Sequence, residues 1–270
     1  MTEAAFETIR EGLGRFAFTS LTYTEYGEIQ DAAEIPAADA VLLTVEDPDR
    51  ENTVKLFWAA DSPEPLLRVA SGISRAIYTE FVPDSFVEPL AGAGFEPESL
   101  FQDYFRRNLD GVPETLPKGT EFLEMENAEE ASALTMECRW RSRGFHGETP
   151  AFFREWLAEP ENAVLGLRDE GRLAGIICLS TYGSRRGRML WLREIAVRPA
   201  FQNRGYGQKL IEAGFRWGKD RGAVRAFLAA DALNAAAIHL YESCGFVLDG
   251  ESGQRNMLRP EKENFSYGNG

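Results

Sequence analysis

From Glu121 to Pro260 the hydrophobic pattern changes period in a regular order. EFLEM alternates as a short strand, and Ala128 to Arg143 carries a helical repeat with Asn127 placed to cap it. In TPAFFREWLAEP, Thr149 occupies a cap position and Pro150 the first helical one, with a stop near Pro160. AVLGLRD and GRLAGIICLSTYG predict two strands joined by a turn at Glu170-Gly171, and GRMLWLREIAV predicts a third that ends at Arg198-Pro199. From Gly205 to about Lys219 the period lengthens: Leu210, Gly214 and Trp217 fall four and three apart, and Ile211 and Phe215 widen the stripe. VRAFLAAD returns to strand character, Ala235 to Ser243 is an alanine-rich helix, and GFVLDG with QRNMLRP predicts a closing hairpin. Antiparallel strands followed by strand, helix, strand, helix, strand predict an α/β (α+β) mixed sheet.

The first 120 residues echo part of that order. TVKLFWAAD predicts a strand, PEPLLRVASG a helix, SRAIYTEF a strand, and DSFVEPLAGAGFEPES a helix that stops at glycine. The pairs Gly94-Phe95 and Gly245-Phe246 each follow such a helix, which suggests an internal duplication; helices that happen to stop at glycine give the same pattern. The stretch Arg106 to Thr120 has little periodicity and two prolines, and reads as a linker. These signals divide the chain into 1–120, 121–260 and a mobile tail, 261–270.

Charge adds a second contrast. The net charge of -14 is concentrated before residue 121, where 22 acidic side chains face 9 basic ones. Arg185 to Arg225 holds 11 basic residues and 3 acidic ones, an excess suited to a compact anionic ligand or to a solvated face. Overall acidity argues against nucleic acid as a partner. No run approaches the ~18 apolar residues that cross a bilayer, and MTEAAFETIR lacks the order of a secretory signal. Cys138, Cys178 and Cys244 match no zinc spacing or disulfide framework and read as small buried hydrophobes. The expectation is a cytoplasmic protein, monomer or homodimer, with no metal and no membrane partner.

In RPAFQNRGYGQKLIEAG, two glycines stand between a strand and a helix. Such a turn aims unpaired N–H groups outward at the positive end of a helix dipole, where phosphate binds without a special side chain. Gly205 and Gly207 lack the Cβ atoms that would hold a pyrophosphate away, and Arg198 and Arg204 are placed to add charge-assisted bonds. A tight turn that needs glycine accounts for the same residues. The spacing is neither GxxxxGK[ST] nor GxGxxG.

REIAVRPAFQNRGYGQKLIEAG resembles the acyl-CoA-binding signature of the GNAT superfamily of N-acetyltransferases: a strand, V-x-P-x-x-[QR]-x-x-G-x-[GA], then a helix. The matching residues are Val197, Pro199, Gln202, Gly205 and Gly207. LAADALNAAAIHLYESCGF is similar to the family's second signature, in which Asn234 opens a helix and Tyr241 precedes Gly245-Phe246. The resemblance implies a GNAT fold with splayed central strands, duplicated as a degenerate first domain and a catalytic second one. It implies acetyl-CoA as cosubstrate, its pantetheine arm along the backbone of Ile195 and Val197. An N–H near Ile195 or Ala196 would then polarise the thioester. The pyrophosphate would rest on the amides of Gln202, Asn203, Arg204, Gly205, Tyr206 and Gly207, with Asn234 against the cofactor arm.

Acetyl transfer to an amine needs a proton acceptor and a stabilised leaving thiolate. Glu194, in the strand directly before the binding turn, is the candidate base, acting through water; Tyr241 is the candidate acid at the sulfur. Strict alternation puts Leu192, Glu194 and Ala196 on one face, unless a bulge breaks the parity. Pairing with Arg193 or Arg198 is the alternative fate of Glu194, and an aromatic core position that of Tyr241. Asn234 also fits a helix cap. His239 reads as solvated, His146 as a candidate lining residue, and Trp140, Phe145, Phe152 and Tyr182 as aromatic packing. The implied activity is N-acetyltransfer from acetyl-CoA to a small-molecule or peptide amine by direct attack. The alternative is a noncatalytic acyl-CoA-binding or regulatory module.

Overall fold

A computed structural model describes residues 1–139, 141, 145–183, 187–250 and 253–262. The chain forms α1 (Glu3–Gly12), β1 (Phe18–Thr19), α2 (Tyr26–Ile29), β2 (Ala33–Glu34), β3 (Ala40–Glu46) and β4 (Thr53–Ala60). It continues through α3 (Glu64–Gly72), β5 (Ala76–Thr79), α4 (Asp84–Gly92), β6 (Glu96–Arg106) and β7 (Thr120–Phe122). Then come α5 (Ala128–Cys138), α6 (Pro150–Ala158), β8 (Asn162–Asp169), β9 (Arg172–Tyr182) and β10 (Arg188–Val197). The last elements are α7 (Tyr206–Asp220), β11 (Ala223–Asp231), α8 (Ala235–Ser243), β12 (Val247–Leu248) and β13 (Gln254–Arg259). No helix among the described residues is long and apolar enough to cross a membrane.

Two compact units result, Met1–Leu100 with Ser252–Gly270, and Phe101–Glu251. The division falls near residue 100 instead of 120, because Phe101 to Arg106 pairs along its length with β11. Among the described residues the closing hairpin does not form either. β12 pairs with β6 and β13 with β5, so each finds another partner. Trp140, the end of the first predicted helix near Arg143, and the tail from 263 lie outside the described residues.

In the first unit β3 and β4 run antiparallel, with Leu42 opposite Trp58. β4 and β5 run parallel from Thr53↔Ala76 to Leu56↔Thr79 only. Beyond Leu56 that edge of β4 is taken by β1, with Thr19 opposite Ala59. Ser20 continues the contact: its N–H donates to Trp58 O at 2.9 Å, and its Oγ accepts from Trp58 N–H at 2.9 Å. Leu56, Trp58, Leu66, Phe86, Phe95 and Met257 fill the core.

The second unit has strand order β6–β11–β10–β9–β8–β7, antiparallel except for β10–β11. The predicted stripe of α7 packs on one face through Leu210, Ile211, Phe215 and Trp217, all buried; each contributes about 1.5–3 kcal/mol. α5 and α6 cover the other face through Ala131, Leu134 and Phe153. Thr149 caps α6 as predicted, accepting from Phe152 N–H at 3.1 Å. Asn127 does not cap α5; its Oδ1 accepts from Glu124 N–H at 2.9 Å, one turn earlier.

The helix-ending glycines are built alike. Gly94 (φ 89°) and Gly245 (φ 83°) are left-handed, a conformation glycine adopts without penalty. Phe95 N–H donates to Leu90 O at 3.0 Å, and Phe246 N–H to Tyr241 O at 3.1 Å. Both phenylalanines are buried.

Candidate active site

β10 and β11 are paired from Arg188 to Trp191 only. Past Trp191, β10 stays with β9 as far as Val197↔Gly175, and β11 stays with β6 as far as Asp231↔Phe101. Each strand keeps its outer neighbour while losing the inner one, which opens a slot along β10. A cleft of about 590 Å³ runs there. Glu194, Ile195, Ala196, Val197, Asn234 and Tyr241 line it, as do Gln202, Asn203, Gly205, Tyr206 and Gly207 of the turn. Arg204 does not; it is exposed and packs over the Phe201 ring at 5.5 Å.

The turn meets the requirement for anion binding. The first helical bond runs from Lys209 N–H to Gly205 O at 3.1 Å. Among the described residues, the N–H groups of Asn203, Arg204, Gly205, Tyr206, Gly207 and Gln208 have no protein acceptor. Gln202 differs from its expected role: its N–H donates to Pro199 O, and its Nε2 donates to Val197 O at 3.0 Å, tying the turn to the end of β10. The two glycines serve different needs. Gly205 is the left-handed N-cap at φ 76°, with open space where a Cβ would lie. At Gly207 a Cβ would sit 2.7 Å from Leu240 Cδ2, so a side chain there would displace the end of Leu240 on α8. Tyr206 OH donates to Asp169 Oδ2 at 2.7 Å.

Arg198, expected near the phosphates, is instead a buried structural group. Its Nε donates to Leu173 O at 2.7 Å and its Nη1 pairs with Glu137. Arg188 and Arg216 are likewise paired, with Glu161 and Asp220. Much of the local positive excess therefore holds the fold together.

Glu194 follows a bulge. Leu192 opposes Leu179 and Glu194 opposes Cys178, leaving Arg193 as the extra residue. Strict alternation fails accordingly: Leu192 joins the core under α7, whereas Ala196 joins the core under α5 and α6. Among the described residues no cation pairs with Glu194; Arg193 Nη1 reaches Glu148 Oε1 at 2.6 Å instead. Burial, opposed by Arg193 and reinforced by the charge of Glu148, pushes the Glu194 carboxyl up to about 8. Tyr241 is half-buried, and burial with the nearby charge of Glu194 raises its phenol well above the ordinary range. Its ring meets Phe246 edge-on at 6.3 Å, and its hydroxyl bonds to no described group.

Asn234 caps α8, its Oδ1 accepting from Ala237 N–H at 3.2 Å. His239 is exposed as expected but lines the cleft, and His146 is not among the lining residues. Phe152 packs on Trp156 with centroids 5.7 Å apart, whereas Tyr182 is 48% exposed and so is not core. All three cysteines are free and buried. Cys138 nevertheless lines the cleft, donating from Sγ to Val197 O at 3.4 Å. Phe101, in the stretch assigned to the first domain, lines it too. No strand is predicted from the sequence after Gly94-Phe95; the parallel with GFVLDG, which is predicted as extended, is the signal that could have found Phe101.

Residues 128–246 match the acetyltransferase (GNAT) family. Over 97 residues the chain is 36% identical to the N-alpha-acetyltransferase RimI of Mycobacterium tuberculosis, spanning 36% of this chain and 60% of that protein. Over 55 residues it is 51% identical to the [ribosomal protein bS18]-alanine N-acetyltransferase of Salmonella typhimurium, 20% of this chain and 37% of that one. The chain thus spans less than two thirds of these relatives. A GCN5-related N-acetyltransferase from Sphaerobacter thermophilus shares the fold at a TM-score of 0.60 and 14% identity, covering 83% of this chain and 78% of that one. The splayed strands and the open turn thus lie within the segment, residues 128–246, that matches the GNAT acetyltransferase family.

Proposed function

We propose that the second unit transfers an acetyl group from acetyl-CoA to an amine. The observation that carries this is a single cleft joining the unpaired edge of β10, the open amides from Asn203 to Gln208, and the side chains of Glu194 and Tyr241. The chain's groups fit the cosubstrate: backbone of Ile195 and Val197 for the pantetheine arm, and the turn amides for the pyrophosphate. Bound there, acetyl-CoA supplies an activated carbonyl and a thiol leaving group. Glu194, directly or through water, takes the proton that the attacking amine sheds. The Ile195 or Ala196 N–H stabilises charge on the carbonyl oxygen, and the Tyr241 hydroxyl hydrogen-bonds the departing sulfur.

A base near 8 matches α-amines, whose ordinary values lie at about 7.7–8.0, better than lysine side chains at about 10.4. Two of the matched relatives are named as an N-alpha-acetyltransferase and a ribosomal-protein alanine N-acetyltransferase, and with them peptide or small-molecule α-amines are the favoured acceptors. The first unit we read as a degenerate copy. In it, β1 fills the slot, and α3 opens with Pro63 and Pro65, which have no N–H to offer.

Thiol release from acetyl-CoA, measured across peptide α-amines, lysine analogues and aminoglycosides, tests the proposal. Turnover fastest with α-amines supports it. CoA binding without turnover of any class would leave a binding module.

A further inference from the structure

In a regular strand, adjacent side chains face opposite sides. The bulge at Arg193 changes this, turning both Arg193 and Glu194 toward the α5–α6 layer. Arg193 stacks over Phe152 at 4.2 Å and reaches Trp156 at 5.5 Å, and Glu194 is in register with Cys178 of that layer's core. A guanidinium and a carboxylate that line one cleft are arranged to form an ion pair. Such a pair would favour the charged carboxylate and make it a poor proton acceptor. Among the described residues it does not form; Arg193 Nη1 donates instead to Glu148 Oε1 at 2.6 Å.

Glu148 is fixed by its own backbone. Its N–H donates to Thr135 Oγ1 at 2.9 Å, and Thr135 Oγ1 shares its proton between Ser132 O at 2.9 Å and Glu148 O at 3.3 Å. The next residue, Thr149, caps α6. The segment before α6 is thereby pinned to α5, with the Glu148 carboxylate already at Arg193.

We propose that Glu148 is a positioning residue, whose carboxylate holds the Arg193 guanidinium and so keeps that cation off Glu194. The proposal builds on the reading of Glu194 as the base. The other titratable groups that interact with Glu194 are Cys178 on β9, Cys138 on α5 and Tyr241 on α8. Burial raises all three, and Cys138 reaches about 11, so they stay neutral while Glu194 titrates. After burial, Arg193 and Glu148 are therefore the charges among the described residues that act on it most.

The test follows the Glu194 carboxyl directly, by carbon-13 NMR titration of the full chain, with Glu194→Gln assigning the resonance. Glu148→Gln releases Arg193, and the Glu194 midpoint should fall by about one pH unit or more. Adding Arg193→Gln removes the released cation, and the rise it causes should exceed the rise that Arg193→Gln causes in the wild type; equal rises would mean that Glu148 acts through its own charge alone, without holding Arg193. An unmoved midpoint in Glu148→Gln, or a double variant as low as the single one, would overturn the proposal. If Glu148→Gln does not fold, Arg193→Gln alone decides: a cation held off Glu194 should move the midpoint by less than about one pH unit, and a larger rise contradicts the proposal. The titration is independent of turnover. Full activity in Glu194→Gln would sink the base assignment while leaving the positioning result readable.

Discussion

Each unit contains a parallel strand pair followed by a helix, and the two pairs end differently. In the second unit β10 and β11 part after Trp191, and among the described residues the freed edge of β10 takes no other strand. In the first, β4 and β5 part after Leu56, and β1 takes up the freed edge, with Ser20 bonded to both backbone groups of Trp58. The following helices differ in the same sense: α7 opens with amides that lack protein acceptors, while α3 opens at prolines beside Asp61, whose Oδ1 already accepts from Ala17 N–H at 2.7 Å. A parting of strands therefore makes a ligand slot only where the chain leaves it unpaired. Neighbouring segments, here residues 17–20, decide which unit keeps one.

Removing the proposed base from the open slot should sharpen the contrast most. Glu194→Gln is expected to lower kcat by about 10²–10⁴-fold. In the wild type, kcat/KM should rise with pH through about 8, because the carboxylate must be deprotonated to accept a proton. A flat pH profile would break the assignment. Tyr241→Phe should cost less, about tenfold in kcat, since a thiol with an ordinary value of about 8.5 leaves without full proton transfer. Gly207→Val drives a side chain into Leu240 at the head of α7. A displacement costing about 1–3 kcal/mol should appear in CoA affinity by calorimetry and in a lower Tm. The smallest effect belongs to the filled slot. Ser20→Ala leaves the buried Trp58 N–H without its acceptor and should cost about 1–3 kcal/mol of stability, with turnover and CoA affinity unchanged. A change in either would place function in the first unit.

The slot was legible in sequence because its causes are local. The stripe of α7, the glycines at 205 and 207, and the Asn234 cap each depend on residues within a few positions. What was not legible depends on pairing between distant segments. The boundary near residue 100 and the lost hairpin arise because β6 and β13 pair with β11 and β5. The filling of the first slot by Phe18 and Thr19 needs a register that no periodicity encodes. Arg198 was misread because sequence gives its charge but not its burial against Leu173 O and Glu137. The bulge at Arg193 was foreseen only as a possibility; its position emerges from the pairing with β9.

The account rests on the amides at the head of α7. An amide-resolved NMR titration of the full chain with CoA tests this most directly. The account predicts downfield shifts at Asn203 to Gln208 that saturate at one CoA per chain, with the amides around Ser62 to Leu66 unmoved. CoA binding that leaves Asn203 to Gln208 unshifted, or a second set saturating in the first unit, would contradict it.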